Sequence, residues 1–219
     1  MSKKILEIIK ANRGFIIFLV LMGVFRSSLA DWNSVPTGSM KPTIIEGDRI
    51  LINKLAYDVK LPFSNISIAE LSQPQRGDII IFNSAVSKKR LVKRVIGVPG
   101  DSVSMLNNRL TINGVELEYT LSNSTLNAEH SGDLDEDLLG VKHQIRIDNK
   151  AGPAANFLET RVPENMYLAL GDNRDNSVDS RYIGFVPRSE IIGRSNSVVM
   201  SFDYDDYYLL RKERFFKTL

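Results

Sequence analysis

The sequence predicts a mainly β body behind a short apolar N-terminal segment. Three observations carry this reading. Apolar, β-branched stretches of strand length recur along the chain, Gly-Asp pairs separate several of them as turns, and no long helical periodicity is visible beyond the first 30 residues. Many short strands without intervening helices imply an all-β or mainly β body.

At the N-terminus Lys3, Lys4, Lys10 and Arg13 precede an uncharged run, Gly14 to Phe25, which Arg26 interrupts. The positive flank predicts a cytoplasmic N-terminus. Twelve residues at about 1.5 Å each reach only about 18 Å, short of the roughly 30 Å hydrocarbon core. If the helix continues through Arg26 to Ala30, with the guanidinium snorkelling to the outer interface, the reach is about 25 Å and the segment is a marginal single-pass anchor. Ser28-Leu29-Ala30 also has the small-x-small pattern that precedes a signal-peptide cleavage site. A tethered and a processed protein both stay open here, and both place residues 31 to 219 outside the cytoplasm. A buried core helix also fits a 12-residue apolar run, but the basic flank and the N-terminal position disfavour it.

The body follows as strands at Arg49 to Asn53, Asp78 to Phe82, Leu91 to Val98, Arg109 to Asn113, Met166 to Leu170 and Ser197 to Phe202. Gly47-Asp48, Gly77-Asp78, Gly100-Asp101 and Gly171-Asp172 supply turns. Leu110 to Leu117 reads as a hairpin, because Asn113-Gly114 supplies the two positive φ angles of a type I′ turn. From Asn107 to Pro163 the composition turns polar, with acidic residues clustered at Asp133 to Asp137. This marks an inserted subdomain at 107–163, since a structureless loop of over 50 residues is improbable in a compact domain. The division is then 1–30 for the cytoplasmic stub and anchor, 31–106 with 164–203 for the core, 107–163 for the insertion and 204–219 for an aromatic, basic tail.

Composition narrows the chemistry. A chain of 219 residues buries a real core in one or two domains. A net charge of +2 is too small to argue for a nucleic-acid partner. The absence of cysteine removes thiol nucleophiles, disulfides and thiolate zinc sites together. Both histidines, His130 and His143, lie in the polar insertion, so a histidine base must come from there.

Three stretches carry candidate chemistry. In Val35-Pro36-Thr37-Gly38-Ser39-Met40-Lys41-Pro42-Thr43, proline and glycine fix an unusual backbone path around one small hydroxyl. Such a serine is a nucleophile or an ordinary turn residue capping its neighbours. In Arg90-Leu91-Val92-Lys93-Arg94-Val95, strand alternation puts Leu91, Lys93 and Val95 on one face. If that face is inward, burial lowers the lysine pKa, and a base useful near pH 7 to 8 needs a shift of roughly 3 units, about 4 kcal/mol. If it is outward, Lys93 is solvated beside Arg90 and Arg94. The third stretch, Gly171 to Gly184, alternates oxygen-bearing residues, but Ser177 or Val178 falls where a calcium loop needs glycine, so the spacing argues against metal. A polar loop held by Asp/Arg pairs is the plain reading.

Taken together, Pro-Thr-Gly-Ser39-Met-x-Pro-Thr, Lys93-Arg-x-x-Gly-x-Pro-Gly-Asp and Gly171-Asp-Asn-x-Asp-Asn-Ser-x-Asp-Ser-Arg-x-x-Gly resemble the motif set of the bacterial type I signal peptidases, in that family's order and at similar spacing. The resemblance runs from about Val35 to Val186, with 107–163 matching only as a variable insertion. It implies a β-rich catalytic core with an inserted β-ribbon subdomain behind one transmembrane helix. It makes Ser39 the acylating nucleophile and Lys93 its neutral general base, a pairing also favoured by the missing cysteine and the histidines confined to the insertion. It puts Thr37 with the Ser39 backbone N–H in an oxyanion hole. Ser177 takes the place of a hydroxyl that orients the lysine, Asp179 and Arg181 that of a bracing salt bridge, and Gly171 that of a supporting residue. Val35, Pro36, Leu91 and Val92 match positions lining a strand-binding groove that selects small residues at P1 and P3. The implied substrate is the signal peptide of an exported preprotein, cut after Ala-x-Ala on the outer side of the cytoplasmic membrane, near the export translocon, with no cofactor and no nucleic acid.

Other classes stay in view. An idle extracytoplasmic β domain that binds peptides by strand addition is disfavoured because every polar residue the chemistry needs is present. A self-cleaving Ser/Lys repressor lacks its helix-turn-helix here. A peptidase specialised for one substrate, such as a conjugation-system pilin, is not excluded. In the tail, Tyr204, Tyr207, Tyr208, Phe215 and Phe216 interleave with Arg211, Lys212, Arg214 and Lys217. The pattern fits a segment lying on the membrane surface as well as a solvated or core-docked terminal helix.

Overall fold

The computed structural model describes residues 7, 10–64, 66–122, 132–148 and 152–219. His130 lies outside them. Helix α1 (Arg13–Ser28) is the apolar segment. Its 16 residues reach about 24 Å, and no described helix is long and apolar enough to cross a membrane. The expected continuation to Ala30 does not occur. Lys54 Nζ ties down the carbonyls of Arg26 and Ser27 at 2.6 and 3.2 Å, and Ala30 already pairs with Asn53. The Ser28-Leu29-Ala30 pattern thus straddles a helix end and a paired strand.

The strands follow in chain order: β1 (Ala30–Ser34), β2 (Asp48–Asn53), β3 (Asp58–Lys60), β4 (Ser67–Glu70), β5 (Ile79–Ser84) and β6 (Lys89–Gly97). Then come β7 (Ser102–Leu106), β8 (Arg109–Ile112), β9 (Val115–Glu116), β10 (Glu118–Leu121), β11 (Asp133–Leu138), β12 (Val141–Arg146), β13 (Phe157–Arg161) and β14 (Met166–Leu170). A short helix α2 (Ser180–Ile183) leads to β15 (Val186–Pro187), β16 (Ile191–Ser195), β17 (Ser197–Asp203), β18 (Leu209–Leu210) and β19 (Lys217–Thr218).

The main sheet has 10 strands in the order β15-β14-β6-β5-β16-β2-β17-β18, with β1 added to β2 and β19 to β17. Both of its faces are covered. Ile79 and Ile81 pack with Met40, Ile44, Ile50, Ile52 and Val198 on one side, while Ile80 and Phe82 pack with Val95, Tyr167 and Ile191 on the other. Burial on both faces explains why β5 reads as an unbroken apolar run.

A second region combines the sheet β13-β7-β8-β9 with the ribbon β10-β11-β12. Its interior, Val103, Met105, Leu110, Ile112, Leu117 and Leu138, joins Leu168 and Leu170 of the main sheet. The Asn113-Gly114 turn has φ of 52° and 78°, as a type I′ hairpin requires. Because β7 pairs with both β8 and β13, this region starts at Ser102, ahead of the expected boundary at Asn107. The acidic cluster is also not a plain surface. Asp133 and Glu136 are buried, held by Arg146 at 2.6 Å and Arg174 at 2.5 Å.

The C-terminal segment is docked as two short strands flanking a single 3-10 turn at Lys212–Arg214. Arg211 Nη1 donates to Glu46 O at 2.9 Å, Arg214 pairs with Asp48, β19 pairs with β17, and Leu219 packs against the cluster containing Met40. Two of the cations expected to face lipid point instead at fixed carboxylates and carbonyls. The rings of Tyr207, Tyr208 and Phe216 stay exposed.

Candidate functional site

Ser39 sits in the loop between β1 and β2. Met40 and Ile44 are buried and anchor this loop from beneath, with Ile44 N–H bonded to Met40 O at 2.9 Å. Asn173 pins the strand side of the loop, its N–H donating to Ser39 O at 3.1 Å and its Nδ2 to Gly38 O at 3.0 Å. Thr43 reaches across to donate its hydroxyl to Asp172 Oδ2 at 2.5 Å. Pro36 and Thr37 are exposed.

Lys93 lies mid-strand in β6, opposite Ile80 of β5, and is 2% exposed. It shares the inward face with Leu91 and Val95, so the inward alternative is the observed one. Its Nζ donates to Ser39 Oγ at 2.7 Å. Burial pushes the lysine pKa down to about 8, the carboxylates of Asp179 and Asp172 draw it part way back, and Arg181 lowers it further. Near neutral pH an appreciable fraction is therefore the free amine, within one hydrogen bond of a hydroxyl. That pairing can remove the hydroxyl proton as the oxygen attacks a carbonyl.

The Asp172 to Arg181 segment braces both partners. Asp172, fully buried, takes Arg94 Nε and Nη2 at 2.9 and 2.8 Å. Burial opposes its charge, but Arg94 and the Thr43 hydroxyl hold the carboxyl below its ordinary pKa. Asp179 caps α2 and receives Arg181 Nε and Nη2 at 2.8 and 2.7 Å. It also accepts the Gly171 N–H at 2.9 Å. Gly171 serves by close approach, since a Cβ there would overlap Ser177 Oγ and Ser39 O. Among the described residues the Ser177 hydroxyl, buried beside them, has no hydrogen-bond partner.

Val35 is 5% exposed and joins the same cluster as the half-buried Val92, whereas Leu91 packs on the opposite face of the sheet. His143 lies away from the Ser39/Lys93 pair, with Nε2 3.2 Å from Glu136 Oε1. Among the described residues no cluster of His, Cys, Asp or Glu is arranged to hold a metal ion. Sequence reasoning passed over Arg94, Asp172, Asn173 and Thr43, which tie the three motif stretches together. A charge inside an apolar strand and a polar loop rich in Asp and Asn were the only signals.

A β scaffold that presents a seryl oxygen to a buried, partly neutral lysine is equipped for acyl transfer. The chain belongs to the signal peptidase, peptidase S26, family, whose model matches residues 6–200. It is 36% identical over 207 residues to signal peptidase I of Pseudomonas fluorescens, covering 89% of this chain and 73% of that protein. It is 31% identical over 230 residues to signal peptidase I of Buchnera aphidicola subsp. Schizaphis graminum, covering 86% and 72%. A crystal structure of a signal peptidase I from Enterococcus faecalis V583 is 34% identical, covers 57% of this chain and 97% of its own, and superposes with a TM-score of 0.37. Membership makes this chain a serine endopeptidase.

Proposed function

We propose that this enzyme removes signal peptides from exported preproteins with Ser39 as nucleophile and Lys93 as general base. The observation that carries the assignment is the 2.7 Å bond from Lys93 Nζ to Ser39 Oγ, made by a lysine that is 2% exposed. The neutral amine accepts the Ser39 proton while Oγ attacks the scissile carbonyl carbon. The oxyanion is met by the Ser39 N–H and the Thr37 hydroxyl. Losing one such donor typically costs about 2.7 to 4 kcal/mol. The protonated Lys93 then delivers its proton to the leaving amine, and water, deprotonated by the same lysine, hydrolyses the acyl ester.

The substrate enters as a strand. β14 pairs with β6 only from Arg94 to Gly97, so among the described residues no strand covers that edge of β6 from Lys89 to Lys93. An extended peptide laid there gains main-chain hydrogen bonds next to the nucleophile. Val35, Pro36, Leu91 and Val92 border this path, and their bulk leaves room for small side chains, giving Ala-x-Ala selectivity. Phe15 and Ile17 to Leu21 of α1 are each more than half exposed, too apolar on every side for a water-facing helix. This supports seating α1 in the cytoplasmic membrane, with the core on its outer side near the export machinery.

Incubating detergent-solubilised enzyme with a preprotein tests the assignment. Ser39→Ala and Lys93→Ala are expected to abolish cleavage with the fold intact. Cleavage by either variant at the wild-type rate rules out the dyad, and indifference to Ala at P1 and P3 rules out the specificity.

A further inference from the structure

A polar cavity of about 220 Å³ lies where α1 meets the β core, and the Ser39/Lys93 chemistry makes no use of it. Its polar walls are Lys54, Lys60, Arg90, Ser27, Ser64 and Asn83. Among the described residues no carboxylate lines it. The two lysine side chains are only 14% and 13% exposed. Their nearest carboxylates are engaged by other cations: Asp31 holds Arg26 at 2.6 Å and leaves Lys54 at 3.8 Å. Asp58 likewise holds Arg188 at 2.8 Å and leaves Lys60 at 4.0 Å. Among the described residues Lys60 Nζ makes one hydrogen bond, to Ile191 O at 2.8 Å, and so keeps donors for a ligand, while Lys54 Nζ bonds the Arg26 and Ser27 carbonyls and adds its positive charge. Three cations, with the Ser27 hydroxyl and the Asn83 amide beside them and no carboxylate in the cavity wall, make a cup for a phosphate.

The surroundings point to the source of that phosphate. Phe63 lines the same cavity, is 74% exposed and lies against α1, with its ring 3.4 Å from where a Cβ on Gly23 would stand. Its N–H is tied to Ser27 Oγ at 2.6 Å. Beside it Ile66 and Ile68 are exposed, and the bare apolar faces of α1 run away from the cup. We propose that this cavity binds the head-group phosphate of an anionic phospholipid, whose acyl chains lie along α1 and Phe63. The site fixes how the β core sits against the bilayer and is independent of the Ser39/Lys93 reading.

Native mass spectrometry of the full chain in nonionic detergent tests this. Phosphatidylglycerol and phosphatidylcholine with identical acyl chains are titrated, with sodium phosphate as competitor. One phosphatidylglycerol per chain is expected to be retained at roughly tenfold or lower concentration than phosphatidylcholine, since each basic residue near an anionic lipid contributes appreciably. Lys60→Gln combined with Arg90→Gln is expected to erase the preference, and Lys60→Arg combined with Arg90→Lys to keep it. Equal retention of the two lipids by wild type, or an unchanged preference in the glutamine variant, overturns the proposal. Full displacement of the lipid by millimolar phosphate overturns the lipid assignment and makes this a free-phosphate site.

Discussion

Lys93 Nζ and Ser39 Oγ lie 2.7 Å apart although 54 residues separate them in the chain. The amine is useful to the hydroxyl only when neutral, and burial sets its pKa at about 8. With Lys93 as the proposed base, its protonation switches off catalysis, and activity gains with rising pH. kcat/KM on a preprotein or peptide substrate is expected to climb about tenfold per pH unit below 7, reach half its plateau near pH 8 and level off above. A profile that is flat or falling between pH 6 and 9 contradicts a lysine base.

The same burial has a cost in stability. In the unfolded chain Lys93 titrates near 10.5, in the fold near 8, so below pH 8 folding must carry a charged group that prefers water. Between pH 8 and 10.5 the unfolded chain binds more protons and stability rises with pH. A shift of this size is worth about 3 kcal/mol. Lys93→Met is expected to be inactive yet more stable than wild type at pH 7, with the gain shrinking toward pH 10. Thermal melts at the two pH values check this, and a variant less stable at pH 7 than at pH 10 relative to wild type reverses the sign and refutes it.

Gly171 bears on the serine through space. A methyl group there would collide with Ser177 Oγ, which can rotate, and with Ser39 O, which is backbone and cannot. The loop carrying Ser39 must then shift relative to Lys93. Displacements near 1 Å can cost about 10²-fold in rate. Gly171→Ala is expected to lower kcat/KM by about that factor while its circular dichroism stays native. Activity within twofold of wild type means this contact does not position Ser39.

The motif order drew Ser39, Lys93, Asp179 and Arg181 to one place through resemblance, and hydrophobic patterning marked β2, β5, β14 and β17. What escaped was polar burial. β11 reads Asp-Leu-Asp-Glu-Asp-Leu, a surface pattern by hydropathy, yet Glu136 is fully buried because Arg174 neutralises it at 2.5 Å. Arg94 looked like one of three solvated cations, but its partner Asp172 is 78 residues away. A local pattern cannot show a charge whose counter-charge comes from another element.

The C-terminal segment offers the same lesson as a stability prediction. Arg214 is 8% exposed and Asp48 fully buried; Nε meets Oδ1 at 2.8 Å and Nη2 meets Oδ2 at 2.5 Å. Nη2 also donates to Thr43 O at 3.1 Å, and the Thr43 hydroxyl in turn bonds Asp172. Removing Arg214 leaves a carboxylate buried and unpaired, which typically costs about 3 to 5 kcal/mol, or roughly 10 °C in Tm for a chain of this size. Arg214→Ala is expected to show that loss, and Arg214→Lys to recover only part of it because an ammonium cannot match the two-pronged contact. Adding Asp48→Asn to Arg214→Ala should cost less than the sum of the two single changes, since neither partner is then charged. Additive losses in that double-mutant cycle, or a Tm within about 2 °C of wild type for Arg214→Ala, mean the terminal segment is merely laid on the core and does not hold the serine loop in place.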